Sequence, residues 1–191
     1  DSQNFFKKDG QNWFAKKLNL INHFFVQNQH SKQLLDAIHI PQNTIAGDTR
    51  FDRVKQIIHQ DNQLDFMDNF KGNFKLIVVG SSWPKDEELF INLINEKLQD
   101  DWKILFAPHN LHENEINSFL SKIKQPSIKY SDLEKTPKEE ISTAKVFILN
   151  TIGILSKVYS YADITYIGGG FGAGIHNTLE AVTFGNPVVF G

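Results

Sequence analysis

The sequence predicts an α/β fold in which a parallel β-sheet is covered by helices on both faces. Short apolar runs at 74–79, 103–107, 145–149 and 164–167 alternate with stretches of helical periodicity. Beyond a lysine at or near the start of three of them (Lys75, Lys103, Lys145), those runs are continuously apolar, without the polar alternation of a half-solvated sheet. Strands of that kind are buried on both faces.

The elements follow in order. Residues 23–26 read as a strand, and a helix over 31–38 follows with Ser31 placed to cap it. A short strand at 44–46 ends on Gly47-Asp48, and Phe51, Val54, Ile57 and Ile58 then share one helix face. After strand 74–79 comes Gly80-Ser81-Ser82, with Pro84 at a first helical position and Asp86, Glu87 and Glu88 in the first turn. Leu89, Leu93 and Ile94 mark the inner face of that helix. Strand 103–107 ends at Pro108-His109, and 113–123 is helical by spacing. The Lys- and Glu-rich segment 131–143 reads as a solvated connection or short helix. Strand 145–149 ends at Asn150-Thr151, and a short helix carries Leu155, Val158 and Tyr159. Strand 164–167 runs into Gly168-Gly169-Gly170, and 177–184 is a helix. The last strand, 188–190, reads as buried.

Composition narrows the function classes. A net charge of −2 supplies no global field toward duplex nucleic acid, so none is expected as a partner. The chain has no cysteine, which removes disulfides, thiolate metal sites and cysteine nucleophiles. No run of eighteen apolar residues occurs. Asp1-Ser2-Gln3-Asn4 has neither an initiator Met nor the start of a signal peptide, and the final strand ends on Gly191. The expectation is a piece of a longer protein.

Ligands of an open parallel sheet bind beyond the carboxyl ends of its strands. The residues there are Gly47-Asp48, Gly80-Ser81-Ser82, Pro108-His109, 150–153 and 168–177. The loop 168–174 holds five glycines, and its backbone N–H groups, with those of the following helix, can meet an anion. A βα turn that needs positive φ gives the same composition. Gly168-x-Gly170-x-x-Ala173 is a poor dinucleotide fingerprint because of its position late in the chain. Asn177-Thr178-Leu179-Glu180 has two readings that spacing does not separate: a capping box, or a carboxylate that accepts both ribose hydroxyls. His109 and His112, with Glu113 and Glu115, have metal-like spacing, but they straddle a strand end and a helix start. His109 is therefore read as a site residue and no metal is expected. Arg50 suits a phosphate or a surface ion pair. Trp83 and Trp102 read as packing residues.

Read together, Gly47 through Arg53, Ala107-Pro108-His109, Tyr161-Ala162-Asp163 and Gly168-Gly169-Gly170-Phe171-Gly172-x-Gly174-x-His176-Asn177-x-x-Glu180-Ala181 resemble the 3-deoxy-D-manno-octulosonic acid (Kdo) transferases of Gram-negative lipopolysaccharide synthesis. The resemblance runs over essentially the whole chain, and its last motif is the most specific. It implies a GT-B architecture, two Rossmann-like domains across a cleft. Residues 1–46 would be the last part of the acceptor-side domain, and 47–191 the C-terminal nucleotide-sugar-binding domain. It implies CMP-Kdo as donor, a lipid A precursor as acceptor, and the cytoplasmic face of the bacterial inner membrane as location. It implies inverting, metal-independent transfer without a cofactor.

Carried over residue by residue, Ser81 and Ser82 lie near the donor, His109 approaches the nucleotide, and Gly153 the cytidine pocket. Gly169, Gly170, His176 and Asn177 line the phosphate side, and Glu180 holds the ribose. Arg50 stands where the family often has Lys, and Ile154 where a polar residue is common. No catalytic residue is expected in the chain itself, because the family's general base is a glutamate early in the N-terminal domain. The chain alone is expected to bind nucleotide weakly and turn nothing over. The rival readings are another GT-B enzyme that uses a UDP-sugar, as transferase or epimerase, and a non-catalytic interaction domain.

Overall fold

The computed structural model describes residues 13–172 and 174–191, so the reading of Asp1 to Asn4 and that of Ala173 lie outside the described residues. The chain divides into two compact units, Asp1–Arg53 and Val54–Gly191.

In the first unit, α1 (Trp13–Leu18) precedes β1 (Phe24–Val26), α2 (Gln29–Ala37) and β2 (Asn43–Ile45), and the two strands pair in parallel. Sequence spacing places the cap of α2 at Ser31. The structure moves it to Asn28, whose Oδ1 accepts the Ser31 N–H at 2.9 Å, so the helix begins two residues sooner. Buried Asn43 holds the unit's turn, donating to the Ile40 carbonyl at 2.7 Å and to Asp36 Oδ1 at 2.8 Å. Helix α3 (Arg50–His59) contains the point of division.

The second unit carries α4 (Asp65–Lys71), β3 (Lys75–Ser82), α5 (Pro84–Asn92), β4 (Trp102–Pro108), α6 (Glu113–Leu120), β5 (Ser127–Lys129), α7 (Lys138–Thr143), β6 (Val146–Ile148), α8 (Leu155–Val158), β7 (Ile164–Ile167), α9 (Leu179–Val182) and β8 (Val188–Phe190). Its six strands are all parallel, in the order β5-β6-β4-β3-β7-β8. The strand pattern explains the continuous apolar runs. Leu76, Val78, Leu105 and Phe147 enter one core with Met67 and Phe70 of α4. Their neighbours Val79, Ile104, Phe106 and Ile148 enter the other with Ile94, Ile116 and Phe119. Successive side chains point to opposite faces, so a strand with a core on each side must be apolar at every position. This is the predicted fold class.

Several expectations need correction. Phe51, Ile58 and Leu89 are exposed, and only Ile57 of the α3 face is buried. Val189 and Phe190 are also exposed, since β8 lies at the edge of the sheet order. Helix α6 stops at Leu120; segment 131–143 takes the short-helix alternative, as a 3-10 segment, Tyr130–Lys135, followed by α7. Helix α4 and strand β5 were not predicted. The acid at both Asp65 and Asp68 masks an α4 that buries two side chains, and β5 buries only Ile128.

One charge is buried at the amino end of the sheet. Lys103 is 1% exposed. Its ammonium donates to the carbonyls of Phe70 and Ser142, in the last turns of α4 and α7, and lies 4.5 Å from the Phe74 ring centroid. Helix-terminal carbonyls lack intrahelical partners, so one cation serves two helix ends. Burial, with Lys145 adding repulsion, lowers the Lys103 pKa to about 8.

A pH-dependent stability follows. Below pH 8 both folded and unfolded chains carry this proton. Between about 8 and the ordinary lysine value near 10.4 the unfolded chain binds more, so stability rises with pH. Urea melts of the wild type and Lys103→Met should therefore diverge in that window, with the wild type gaining. Parallel curves would refute the assignment.

Candidate functional site

The order β4-β3-β7 makes a topological switch point. From β3 the chain moves outward through β4 on one side, then returns to lay β7 on the other. Crevices at such points are where open α/β sheets take ligands. Three strand ends converge there. The Gly168 N–H donates to the Gly80 carbonyl at 2.9 Å, and the His109 N–H to the Ser82 carbonyl at 2.9 Å.

The end of β3 is irregular. Ser81 has φ 52° at a bulge in the β3–β4 register, a conformation an L-residue adopts at a cost. Tyr159 presses against Gly80 so closely that no Cβ would fit. Ser82 is buried, and its hydroxyl donates to Glu87 Oε1 at 2.9 Å. Burial pushes the Glu87 carboxyl above its ordinary pKa, and that hydrogen bond opposes the shift.

Asp86 joins the pieces. It is 1% exposed and sits at the third position of α5. Its Oδ2 accepts the Trp83 N–H at 2.9 Å and the Gly169 N–H at 3.0 Å, and its Oδ1 accepts the Tyr166 hydroxyl at 2.8 Å. The glycine-loop N–H expected to meet an external anion thus already meets an internal one. Gly168 is squeezed between Ser81, Ser82 and Asp86, which leaves no space for a side chain.

Above this hub lie three rings. Trp83 Nε1 donates to His176 Nε2 at 3.0 Å with the ring planes 13° apart. His109 covers the pair, its centroid 4.4 Å from Trp83 and 4.6 Å from His176. Burial, and then His109, lower the His176 pKa, with Asp86 opposing. A pocket of about 420 Å³ opens beside them, walled by Trp83, Lys85, Gly169 and Phe171.

Of the residues singled out by sequence, Ser81, Ser82, His109, Gly169 and His176 are brought together. Gly170 adjoins them, closely packed against the Gly191 backbone. Asn177 follows His176, and its Oδ1 accepts the Leu179 N–H at 3.1 Å in a local turn, while the N-cap of the following helix is Thr178, so the capping box is not formed as the spacing suggested. Glu180 is half-buried, and after burial itself it is the second cause raising the Tyr159 pKa. Gly153 stands in an exposed turn after β6 with φ 92°. Arg50 belongs to the first unit, where its guanidinium grips Asp48 at 2.6 Å and holds that carboxyl below its usual range. Among the described residues no cluster of three His, Asp or Glu is arranged to hold a metal.

Two expectations change. The helix over 177–184 is the single turn α9, since Asn177 spends its side chain on an initial turn and Gly185 takes φ 75°. A helix-dipole contribution to anion binding is correspondingly small. Trp83, read as packing, is a hydrogen-bonding member of the site. Sequence reasoning also missed Asp86 and Tyr166. The acid four residues after the end of β3, at a helix start marked by Pro84, was the available signal.

The parallel sheet with helices on both faces is a fold shared with a solved structure. A crystal structure titled as the C-terminal CMP-Kdo binding domain of WaaA from Acinetobacter baumannii superimposes with a TM-score of 0.55 at 15% identity, covering 73% of this chain and 70% of that one. In sequence, the chain is similar to 3-deoxy-D-manno-octulosonic acid transferases. It is 30% identical over 173 residues to that of Rickettsia bellii, 87% of this chain and 39% of the relative. It is 27% identical over 191 residues to that of Chlamydophila psittaci, covering 97% and 42%. The Chlamydia trachomatis transferase is 29% identical over 201 residues, covering 98% and 43%. The chain thus spans about two fifths of the length of these curated relatives. No family model matches it.

Asp86→Ala should lower stability by about 3 kcal/mol, because it leaves three buried donors without their acceptor. Asp86→Asn, which keeps one acceptor oxygen, should cost less. A loss below about 1 kcal/mol for the alanine variant in urea melts would mean the hub contributes little.

Proposed function

We propose that the chain is the donor-binding part of a Kdo transferase, which moves Kdo from CMP-Kdo to a lipid A precursor in lipopolysaccharide core synthesis. The observation that carries this reading is the convergence of Ser81, Ser82, His109, Gly169 and His176 at the switch point of a parallel sheet. The relatives' similarity over the same residues supports it.

In the reaction, the acceptor hydroxyl oxygen bonds to the anomeric carbon of Kdo with inversion. The bond from that carbon to the CMP phosphate oxygen breaks, its electron pair staying on the phosphate. The hydroxyl proton goes to the general base, which the resemblance assigns to the acceptor-side domain. This chain's share is to bind the donor and stabilise the leaving phosphate by hydrogen bonding. His176 serves as a neutral donor there and Glu180 holds the ribose, with no divalent ion taking part. Residues 1–46 are assigned to the acceptor-side domain and 47–191 to the donor domain. The whole enzyme works at the cytoplasmic face of the inner membrane.

Calorimetric titration of the chain with CMP, UDP and NAD tests the reading. CMP should bind in preference to the other two, and Glu180→Ala should weaken it about tenfold, as expected for losing hydrogen bonds to a charged group. Preference for UDP would point to a UDP-sugar enzyme. A folded chain that binds none of the three would overturn the nucleotide reading.

A further inference from the structure

His176 makes a hydrogen bond whose chemistry fixes more than position. The indole Nε1–H of Trp83 is a donor and nothing else. It lies 3.0 Å from His176 Nε2, with the two ring planes nearly parallel at 13°. Nε2 must therefore be the acceptor and carry no proton. A neutral imidazole has a single N–H, which leaves it on Nδ1. Among the described residues Nδ1 has no hydrogen-bond partner.

Trp83 is held firmly enough to impose this. Its backbone N–H is tied to the buried Asp86 carboxylate at 2.9 Å, the carboxylate that also takes the Gly169 N–H. Its ring is stacked under His109, centroid to centroid 4.4 Å and 19° from parallel. On the other side of the pair, the His176 N–H closes the glycine loop onto the Gly168 carbonyl at 3.4 Å. A Cβ on Gly169 would press on the His176 ring, so the loop backbone limits that ring from below. The groups facing His176 are then one donor-only indole, the His109 ring and the Asp86 carboxylate.

We propose that Trp83 is a positioning residue that locks His176 in its Nδ1–H tautomer, so that the crevice offers a neutral, oriented N–H donor to an anionic oxygen. The ligand group that fits is a phosphate oxygen; this rests on the nucleotide reading above for its biological meaning, but the tautomer itself does not. A protonated imidazole would have to break the Trp83 bond, since Nε2 would become a second donor facing a donor. Trp83 therefore selects the neutral donor over the cation, and a packing role alone would leave the tautomer free.

The test is nitrogen-15 NMR of the full chain at pH 7.5, with the His176 ring signals assigned by their loss in His176→Ala. The wild type should show Nδ1 protonated and Nε2 bare. Trp83→Phe keeps a ring against His109 but removes the indole N–H, and should shift the population toward the Nε2–H form. A wild-type His176 protonated on Nε2 overturns the proposal, as does an unchanged tautomer in Trp83→Phe. If that variant does not fold, the wild-type spectrum still decides. A CMP titration of the same sample separates the two readings. An Nδ1–H form in a chain that binds no CMP defeats the nucleotide reading and upholds the tautomer lock, whereas CMP binding with Nε2 protonated does the reverse.

Discussion

A carboxylate with almost no exposure to water holds the crevice in shape. Burying such a charge costs several kcal/mol unless its lone pairs are used, and Asp86 uses them on three donors from three elements. The first turn of α5, the side chain of β7 and the glycine loop are thereby fixed to a common point. Each needs the acid, and the acid needs each of them. The absence of room at Gly168 has the same origin, because Asp86, Ser81 and Ser82 fill the space a side chain would take. The loop is therefore part of the packed structure as well as a candidate contact for a ligand.

The amino end of the sheet solves the opposite problem with the opposite charge. Lys103 serves carbonyls that α4 and α7 leave without partners, while Asp86 serves N–H groups at a helix start and a loop. Between them the strands are apolar on both faces, so neither charge has water to fall back on. The two buried ions have different consequences. Lys103 ties helices to the back of the sheet and can lose its proton at mildly alkaline pH, whereas Asp86 organises the front, where the strand ends meet.

Much of the fold was legible in the sequence because it is written in local pattern. Continuous apolar runs announced β3, β4, β6 and β7, and Pro84 with its following acids announced α5. Elements whose pattern is weak were lost: β5 buries a single residue, and α4 hides its two core side chains among acids and amides. The site was legible as a set of strand ends, since parallel topology alone brings Ser82, His109 and Gly168 together. Its interior was not. That Asp86 turns inward to Gly169 while Glu88, two residues later, stays exposed depends on packing between residues 83 positions apart. No periodicity carries such information. Trp83 was misread for a similar reason, because a large aromatic in an α/β protein is usually packing, and only the distance to His176 reveals the indole N–H at work.

The internal use of acid also bears on how an anion would be received here. Asp86 and Glu87 lie close to the crevice, yet one has its oxygens engaged by three inward hydrogen bonds and the other is pushed toward its protonated form by burial. Neither therefore presents a bare negative charge against a phosphate. What remains on the loop side is a neutral imidazole and Lys85, whose ammonium reaches the Phe171 carbonyl at 3.5 Å. On the proposed reading, a phosphate would be met by fixed dipoles with one cation nearby. Fixed dipoles in a partly dry crevice can stabilise charge that develops on a leaving group without first having to reorganise. That makes the rigidity set by Asp86 a condition for the chemistry, because a donor that must first be oriented loses the advantage preorganisation confers.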